Sequence, residues 1–191
     1  MSGYRIGAGR LEAAKFSFTF DGRPMTARVG DTVASALLAN GVEVIGRSFK
    51  YHRPRGVTSS GPEETGALVT LGAGARVEPN VRATMEPVTE GLEVLSQNCW
   101  PTPKFDLWAV NSLVSGLLPG SLFSAGFYYK TFMWPATLWH RFYEPAIRRA
   151  AGMGKPPRQA DPDRYDRLNS FCDIAVVGGG AAGLAAALSA A

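Results

Sequence analysis

The chain has 191 residues, 46% of them hydrophobic and 19% charged, which is typical of a globular protein and not of a disordered one. Its formal net charge of +4 is mild for a nucleic-acid-binding protein, and no apolar stretch approaches the roughly 18 residues of a membrane span, so neither partner is expected. The cysteines, Cys99 and Cys172, form no CxxC or zinc pattern. They suit a reducing compartment, which predicts a cytoplasmic protein.

The chain begins with a predicted β-hairpin. Residues 1–15 are interpreted as a flexible lead-in, and residues 16–20 alternate apolar and polar side chains as a half-buried strand does. The dipeptide Asp21-Gly22 is a strong hairpin turn, and it leads into a second predicted strand over residues 25–29.

A helix and further strands complete the predicted first domain. Asp31 or Thr32 suits the N-cap of a helix that runs to about Asn40, and Gly41 suits its C-terminal end. Additional strands are predicted at residues 42–45, 67–71, 82–86 and 92–95. Hairpin, helix and then strands is an α+β pattern. It suggests a small β-grasp-like sheet wrapped on one helix over residues 16–98.

A basic loop with interleaved aromatic residues occupies positions 47–56. A phosphate-bearing ligand is one interpretation, but a short patch supplies few phosphate contacts, so a solvated loop that docks on an acidic neighbour is favoured. His52 and His140 are expected to be structural, because no cysteine or carboxylate stands at ligand spacing. Glu63 and Glu64 are adjacent and make a poor acid–base pair. No catalytic and no metal-binding residue is predicted.

Residues 99–170 are interpreted as an aromatic- and proline-rich, partly helical connecting segment. All four tryptophans lie between positions 100 and 143. So many large apolar groups are expected to be buried, either between domains or against another subunit, with an aromatic cage around a cofactor as the alternative. A helix is predicted over residues 143–152, and residues 154–163 read as an exposed linker.

The end of the chain has the pattern of a dinucleotide-binding turn. A short buried strand is predicted at residues 174–177, and strong helix formers follow from Leu184. The glycine spacing between them would allow a sharp turn at the first glycine, close approach of a pyrophosphate at the second, and tight packing of the helix at the third. The candidate cofactor-binding residues are Gly178, Gly179, Gly180, Ala181, Ala182 and Gly183.

This turn does not by itself distinguish NAD from FAD, because the acid that binds the ribose is expected about 20 residues further on. A parallel strand that is apolar on both faces also needs parallel neighbours. Residues 171–191 are therefore expected to be the truncated start of a Rossmann-type FAD/NAD(P)-binding domain in a longer protein. In that protein, replacing Gly180 by valine is expected to abolish NAD binding, by filling the pyrophosphate space and by resisting a positive φ.

Several stretches carry a specific resemblance. Residues 46–56, 63–64, 78–80, 125–135 and 172–180 closely resemble, in the same order, the front part of the alpha subunit of heterotetrameric sarcosine oxidase. This resemblance implies that the first domain is a ferredoxin-like β-grasp domain related to plant-type [2Fe–2S] domains. Such a cluster uses four thiolates, and the corresponding loop has no cysteine, so no iron–sulfur cluster is expected.

The resemblance also implies an activity for the complete complex. Such a complex oxidatively demethylates sarcosine to glycine, uses FAD and FMN held by or shared with the beta subunit, and passes the one-carbon unit to tetrahydrofolate. The chain would contribute NAD binding and assembly with the beta, gamma and delta subunits, and it is expected to be inactive alone. An alpha-like subunit of a related flavin-dependent amino-acid or opine dehydrogenase and a non-enzymatic β-grasp interaction module are the alternatives.

Overall fold

The computed structural model describes residues 3, 5, 14–49, 51–110, 135–145, 148, 152 and 154–191. These belong to two compact units, Met1–Asp161 and Pro162–Ala191. The described helices and strands of the first unit are β1 (Lys15–Phe20), β2 (Arg23–Arg28), α1 (Val33–Ala39), β3 (Gly46–Arg47), β4 (Pro54–Arg55), β5 (Leu68–Leu71), β6 (Glu78–Arg82) and β7 (Glu93–Leu95). A mixed sheet has the strand order β2-β1-β7-β5-β6, and β3 pairs with β4 in a separate ribbon.

The predicted hairpin is confirmed. Strands β1 and β2 are antiparallel, from Lys15 opposite Arg28 to Phe20 opposite Arg23. Asp21 and Gly22 both have positive φ, +49° and +73°, as a type I′ turn requires. The second strand begins before residue 25, because this tight turn lets pairing start directly after Gly22.

The predicted helix is also confirmed, and Thr32 is its N-cap. The Thr32 side chain accepts a hydrogen bond from Ser35 N–H at 3.3 Å, and Ser35 Oγ accepts one from Thr32 N–H at 3.0 Å. Asp31, the other candidate, lies outside the helix and is buried. Its carboxylate accepts hydrogen bonds from the Ser35 hydroxyl, from Arg28 N–H and from the Arg5 guanidinium, at 2.7, 2.8 and 2.6 Å.

This environment lowers the pKa of Asp31: burial raises it, but the hydrogen bonds from Ser35 and Arg28 and the charge of Arg5 outweigh that effect. Arg5 falls in the predicted flexible lead-in, most of which lies outside the described residues. The contact shows that at least this guanidinium packs on the first domain.

Two predicted strands are wrong. Residues 42–45 form no strand, because Val42 N–H donates to Leu37 O at 2.9 Å and this stretch still completes the end of α1. Pairing starts instead at Gly46, in β3. Residues 83–86 form a turn, closed by Met85 N–H to Arg82 O at 2.9 Å, and the strand lies before it as β6. Pro79 is tolerated within β6 because that strand is at the edge of the sheet.

The remaining predicted strands, at residues 67–71 and 92–95, are confirmed as β5 and β7. Strand β7 runs parallel to β1, with Thr19 opposite Glu93, and antiparallel to β5. The core consists of the apolar side chains that the sheet and α1 bury together. Its largest fully buried apolar members are Phe18, Leu37, Ile45, Val33, Val69 and Val94.

The connecting segment is described in part. A 3₁₀ turn at Ala136–Leu138 leads into a π-helical turn at Trp139–Tyr143, so helical structure begins before residue 143. Residues 111–134, which hold much of the predicted aromatic cluster, lie outside the described residues. The described aromatic residues Trp100, Phe105, Trp108 and Phe142 are exposed in this chain. Their expected burial against another domain or subunit therefore stays a prediction.

The second unit contains one described helix, α2 (Ala181–Ala190), as predicted. The predicted strand at residues 174–177 is wrong for this chain, since the stretch pairs with no other described strand and Ile174 and Val177 are exposed. A parallel strand requires a hydrogen-bonded neighbour, and this unit supplies none. None of the helices in the described part of the chain is long and apolar enough to cross a bilayer.

Candidate functional site

The turn before α2 has the backbone geometry that the glycine spacing predicts at its first position. Gly178 has φ of +110°, a conformation that residues with a side chain rarely adopt. Gly180 is the N-cap of α2 with φ of −75° and ψ of 175°. The expectation of a positive φ at Gly180 is therefore wrong, and the conformational requirement lies at Gly178.

The third glycine is required by close packing. A Cβ atom at Gly183 would lie 2.0 Å from the carbonyl oxygen of Gly178 and 3.1 Å from its carbon, so only glycine fits. Gly179 and Gly180 differ, because a Cβ atom at either position would have no neighbour within 4 Å. The turn is thus crowded on its inner side and open where a ligand would approach.

The open side faces the N-terminus of α2. The first intrahelical hydrogen bond is donated by Leu184 N–H to Gly180 O at 2.9 Å. The N–H groups of the three residues between them have no side-chain acceptor at the N-cap, because the N-cap residue is glycine. Those groups belong to Ala181, Ala182 and Gly183. Helix N-termini of this kind attract anions through N–H groups and the helix dipole. The geometry therefore fits a phosphate group.

A second ordered centre is the loop between β4 and β5, where Glu64 is fully buried. One carboxylate oxygen accepts hydrogen bonds from Thr58 N–H and Ser59 N–H at 2.7 and 2.8 Å. The other accepts from the Thr58 hydroxyl at 2.8 Å, from Ala67 N–H at 3.0 Å and from Gly66 N–H. One ionised side chain thus organises residues 58–67.

The pKa of Glu64 follows from this arrangement. Burial raises it, but the N–H groups of Ser59, Thr58 and Gly66 outweigh burial and lower the pKa from 4.5 to about 2. Sequence reasoning treated Glu64 only as a neighbour of Glu63. The small, turn-forming residues on both sides were the available signal, since such segments present backbone N–H groups to an acceptor.

The basic loop docks on residues 99–110. The Arg47 guanidinium donates to Pro103 O at 2.6 Å, Lys104 O at 3.3 Å and His52 O at 2.9 Å. His52 Nδ1 lies 2.7 Å from Asp106 Oδ2, and both side chains are largely buried. The favoured interpretation of this loop is thus consistent with the contacts of Arg47 and His52. The acidic neighbour lies 54 residues from His52 and was not foreseen.

Comparison with known proteins adds two findings. Residues 13–99 match a family described as a 2Fe-2S iron-sulfur cluster binding domain. The chain is also 57% identical over 192 residues to "Sarcosine oxidase subunit alpha" of Rhizobium meliloti (strain 1021), across 100% of this chain and 19% of the relative. The predicted resemblance to the sarcosine oxidase alpha subunit is confirmed.

A second sarcosine oxidase alpha subunit, from Corynebacterium sp. (strain U-96), is 33% identical over 96% of this chain and 14% of its own length. The chain therefore spans less than a fifth of the length of either relative. Among solved structures, L-proline dehydrogenase from P. horikoshii shares 24% identity over 46% of this chain and 16% of its own, with a TM-score of 0.37, which is too low to support an argument.

The family match confirms one prediction and corrects another. Together with the mixed sheet, it confirms the predicted ferredoxin-like β-grasp domain. The prediction that this domain binds no iron–sulfur cluster is wrong, because the matched family is described by its binding of a 2Fe-2S cluster. That prediction rested on cysteine spacing alone.

The side chains of this chain do not make a complete ligand set for such a cluster, which is held by four thiolates. The matched range contains Cys99, and the only other cysteine of the sequence is Cys172. Burial raises the pKa of the Cys99 thiol, which lies 3.2 Å from Ser96 Oγ. Among the described residues, no three His, Cys, Asp or Glu side chains are grouped to hold a metal ion.

Proposed function

We propose that this chain is the front part of the alpha subunit of a heterotetrameric sarcosine oxidase, and that it binds the pyrophosphate of NAD at residues 178–183. The observation that carries the proposal is the 57% identity to such a subunit along the whole chain. The geometry of the turn before α2 supports the NAD site. Because the chain spans 19% of that relative, the activity of the whole complex is part of the proposal.

In this proposal the complex converts sarcosine to glycine by oxidative demethylation and transfers the one-carbon unit to tetrahydrofolate. FAD and FMN, bound outside this chain, supply the redox chemistry. The chain contributes the pyrophosphate-binding part of an NAD site that is incomplete in these 191 residues, it assembles with the beta, gamma and delta subunits in the cytoplasm, and alone it is inactive. Residues 16–98 form the β-grasp domain, residues 99–170 connect, and residues 171–191 begin the Rossmann-type domain.

The residues of the turn have distinct roles. Gly178 supplies the positive φ of the turn, and Gly183 allows α2 to start directly against the Gly178 carbonyl. Gly179 and Gly180 leave space for the pyrophosphate. The N–H groups of Ala181, Ala182 and Gly183 then face the phosphate oxygens, where the helix dipole adds a favourable field.

Replacement of Gly180 by valine in the full-length subunit tests the NAD site. A Cβ atom at position 180 has no neighbour within 4 Å, and the position needs no positive φ, so the fold should be preserved. The same side chain would occupy the space of the pyrophosphate. We expect the Kd for NAD, measured by calorimetric titration, to rise about 100-fold or more, a loss of about 2.7 kcal/mol of binding free energy.

The matched control is Ala185→Val, which places the same side chain on α2 about 200° around the helix from Gly183 and so away from the packed face. It should leave the Kd for NAD within about twofold of the unsubstituted subunit, since substitutions on exposed surfaces have small effects. Unchanged NAD binding in the Gly180→Val subunit would contradict the assignment of residues 178–183.

A further inference from the structure

The first unit exposes a cluster of large apolar side chains on the segment 99–110. Trp100, Phe105 and Trp108 are 57%, 66% and 59% exposed, and Leu107 beside them is also exposed. We call these four residues the aromatic face. Single exposed apolar residues are ordinary, but several on one short segment indicate a surface that is covered in the working protein.

The backbone that carries the aromatic face is firmly held. Trp100 N–H and Trp108 N–H both donate to Oδ1 of the buried Asp106, at 2.9 and 3.2 Å. Leu107 N–H donates to Trp100 O at 2.7 Å, so two of the four residues bond to one carboxylate and a third bonds to the backbone of Trp100. Such anchoring lowers the ordering cost of binding, which favours a preformed contact surface.

The surroundings of the aromatic face are basic. The Arg47 and His52 contacts place the β3–β4 ribbon against residues 99–110. That ribbon contributes the exposed Arg53 and Arg55, and the segment itself contributes the exposed Lys104. Within residues 46–56 and 99–110 of the sequence, Asp106 is the only acid, and its carboxylate is buried and bonded. The exposed charges that these two segments contribute to the surface are therefore positive.

We propose that the aromatic face is a docking surface for a different polypeptide of the oxidase complex, whose contact surface has an apolar groove edged by Asp and Glu side chains. Trp, Phe and Arg are enriched at the centres of protein interfaces, which fits this composition. A second copy of this chain is disfavoured, because its basic edge would meet an identical one. The partner's membership of the complex rests on the proposed function, whereas the docking surface does not.

The test uses the full-length subunit co-expressed with its partner subunits. A Phe105→Ser/Trp108→Ser double variant removes the apolar contact, and Met85→Ser, at 53% exposure on the loop after β6, is the matched control. We expect the double variant to weaken association with the partner subunit at least about tenfold, measured by titration of separated subunits. The control should stay within about twofold.

A second pair of variants tests the charge complementarity. The double variant Arg55→Glu/Lys104→Glu reverses the charge beside the aromatic face. It should lower the rate of association with the partner subunit and weaken the dependence of that rate on salt concentration. Arg23→Glu, an exposed arginine of β2, is the control and should change neither. Because these positions are exposed, all the variants should show the circular dichroism spectrum of the unsubstituted subunit.

Three outcomes would overturn the inference. Unchanged association of both double variants with the partner would exclude the surface. A loss of thermal stability in the isolated full-length subunit, without weaker association, would mean that its own polypeptide covers the face. Self-association abolished by Phe105→Ser/Trp108→Ser would identify a second copy as the occupant. NAD affinity, measured in parallel, should be unchanged, so failure here is distinguishable from failure of the NAD site.

Discussion

Replacing Glu64 by alanine is expected to lower the free energy of unfolding of the first unit by about 3–5 kcal/mol, because removal of one partner from a buried charged network leaves the others unpaired. In Glu64→Ala the N–H groups of Thr58, Ser59 and Ala67 are among the donors that lose their acceptor. Chemical denaturation followed by circular dichroism measures the change. Glu63→Ala is the matched control: its side chain is adjacent and exposed, so we expect a change within about 0.5 kcal/mol.

The same carboxylate predicts a dependence of stability on pH. Its pKa is about 2 in the folded protein and 4.5 ordinarily, so its contribution is complete above pH 4.5 and is lost as the pH falls toward 2. The loss is on the order of 3 kcal/mol. Asp31 titrates in the same direction, so the difference between the unsubstituted protein and Glu64→Gln isolates Glu64. A difference that does not shrink on acidification would show that Glu64 is not the ionised acceptor.

Replacing Asp106 by alanine is expected to lower the free energy of unfolding of the first unit by about 2–4 kcal/mol, because three donors converge on this buried carboxylate. They are Trp100 N–H, Trp108 N–H and His52 Nδ1. Hydrogen exchange at the two tryptophan amides should accelerate with the loss. Glu90→Ala serves as the control, since Glu90 is exposed and bonds only to the exposed Ser17. Unaltered amide protection in Asp106→Ala would contradict the anchoring of the aromatic face.

The elements predicted correctly are those with local signals. The β1–β2 turn is encoded by Asp21-Gly22. The start of α1 is encoded by Thr32, which exchanges two hydrogen bonds with Ser35, three residues later. The predictions of strands at residues 42–45 and 82–86 were wrong, because backbone N–H groups there bond within the end of α1 and within a turn. A short apolar run in the sequence does not show which partner a backbone group will have. Strand β6 contains a proline, which on its own argues against a strand and is acceptable only at an edge.

The candidate site was predictable to the extent that it is local. The glycine spacing identified the turn at 178–183, whereas the three-dimensional path of the chain decides that the positive φ lies at Gly178 and not at Gly180. The partnership of His52 with Asp106 could not be read from the sequence, because 54 residues separate them. Cysteine spacing alone did not predict the match to a cluster-binding family, which extends over residues 13–99 and not over the cysteines alone.

The position of β7 has a consequence for biosynthesis. Strand β7 is the last of the sheet to be made, yet it lies between β1 and β5 and pairs Thr19 with Glu93. Contacts of such high sequence separation raise the contact order and slow folding, because the loop entropy is lost before the pairing compensates for it. A nascent chain that has not reached residue 93 therefore carries an unpaired edge on β1 and another on β5. These open edges invite pairing with other chains during translation, so early interruption of synthesis should leave an aggregation-prone product.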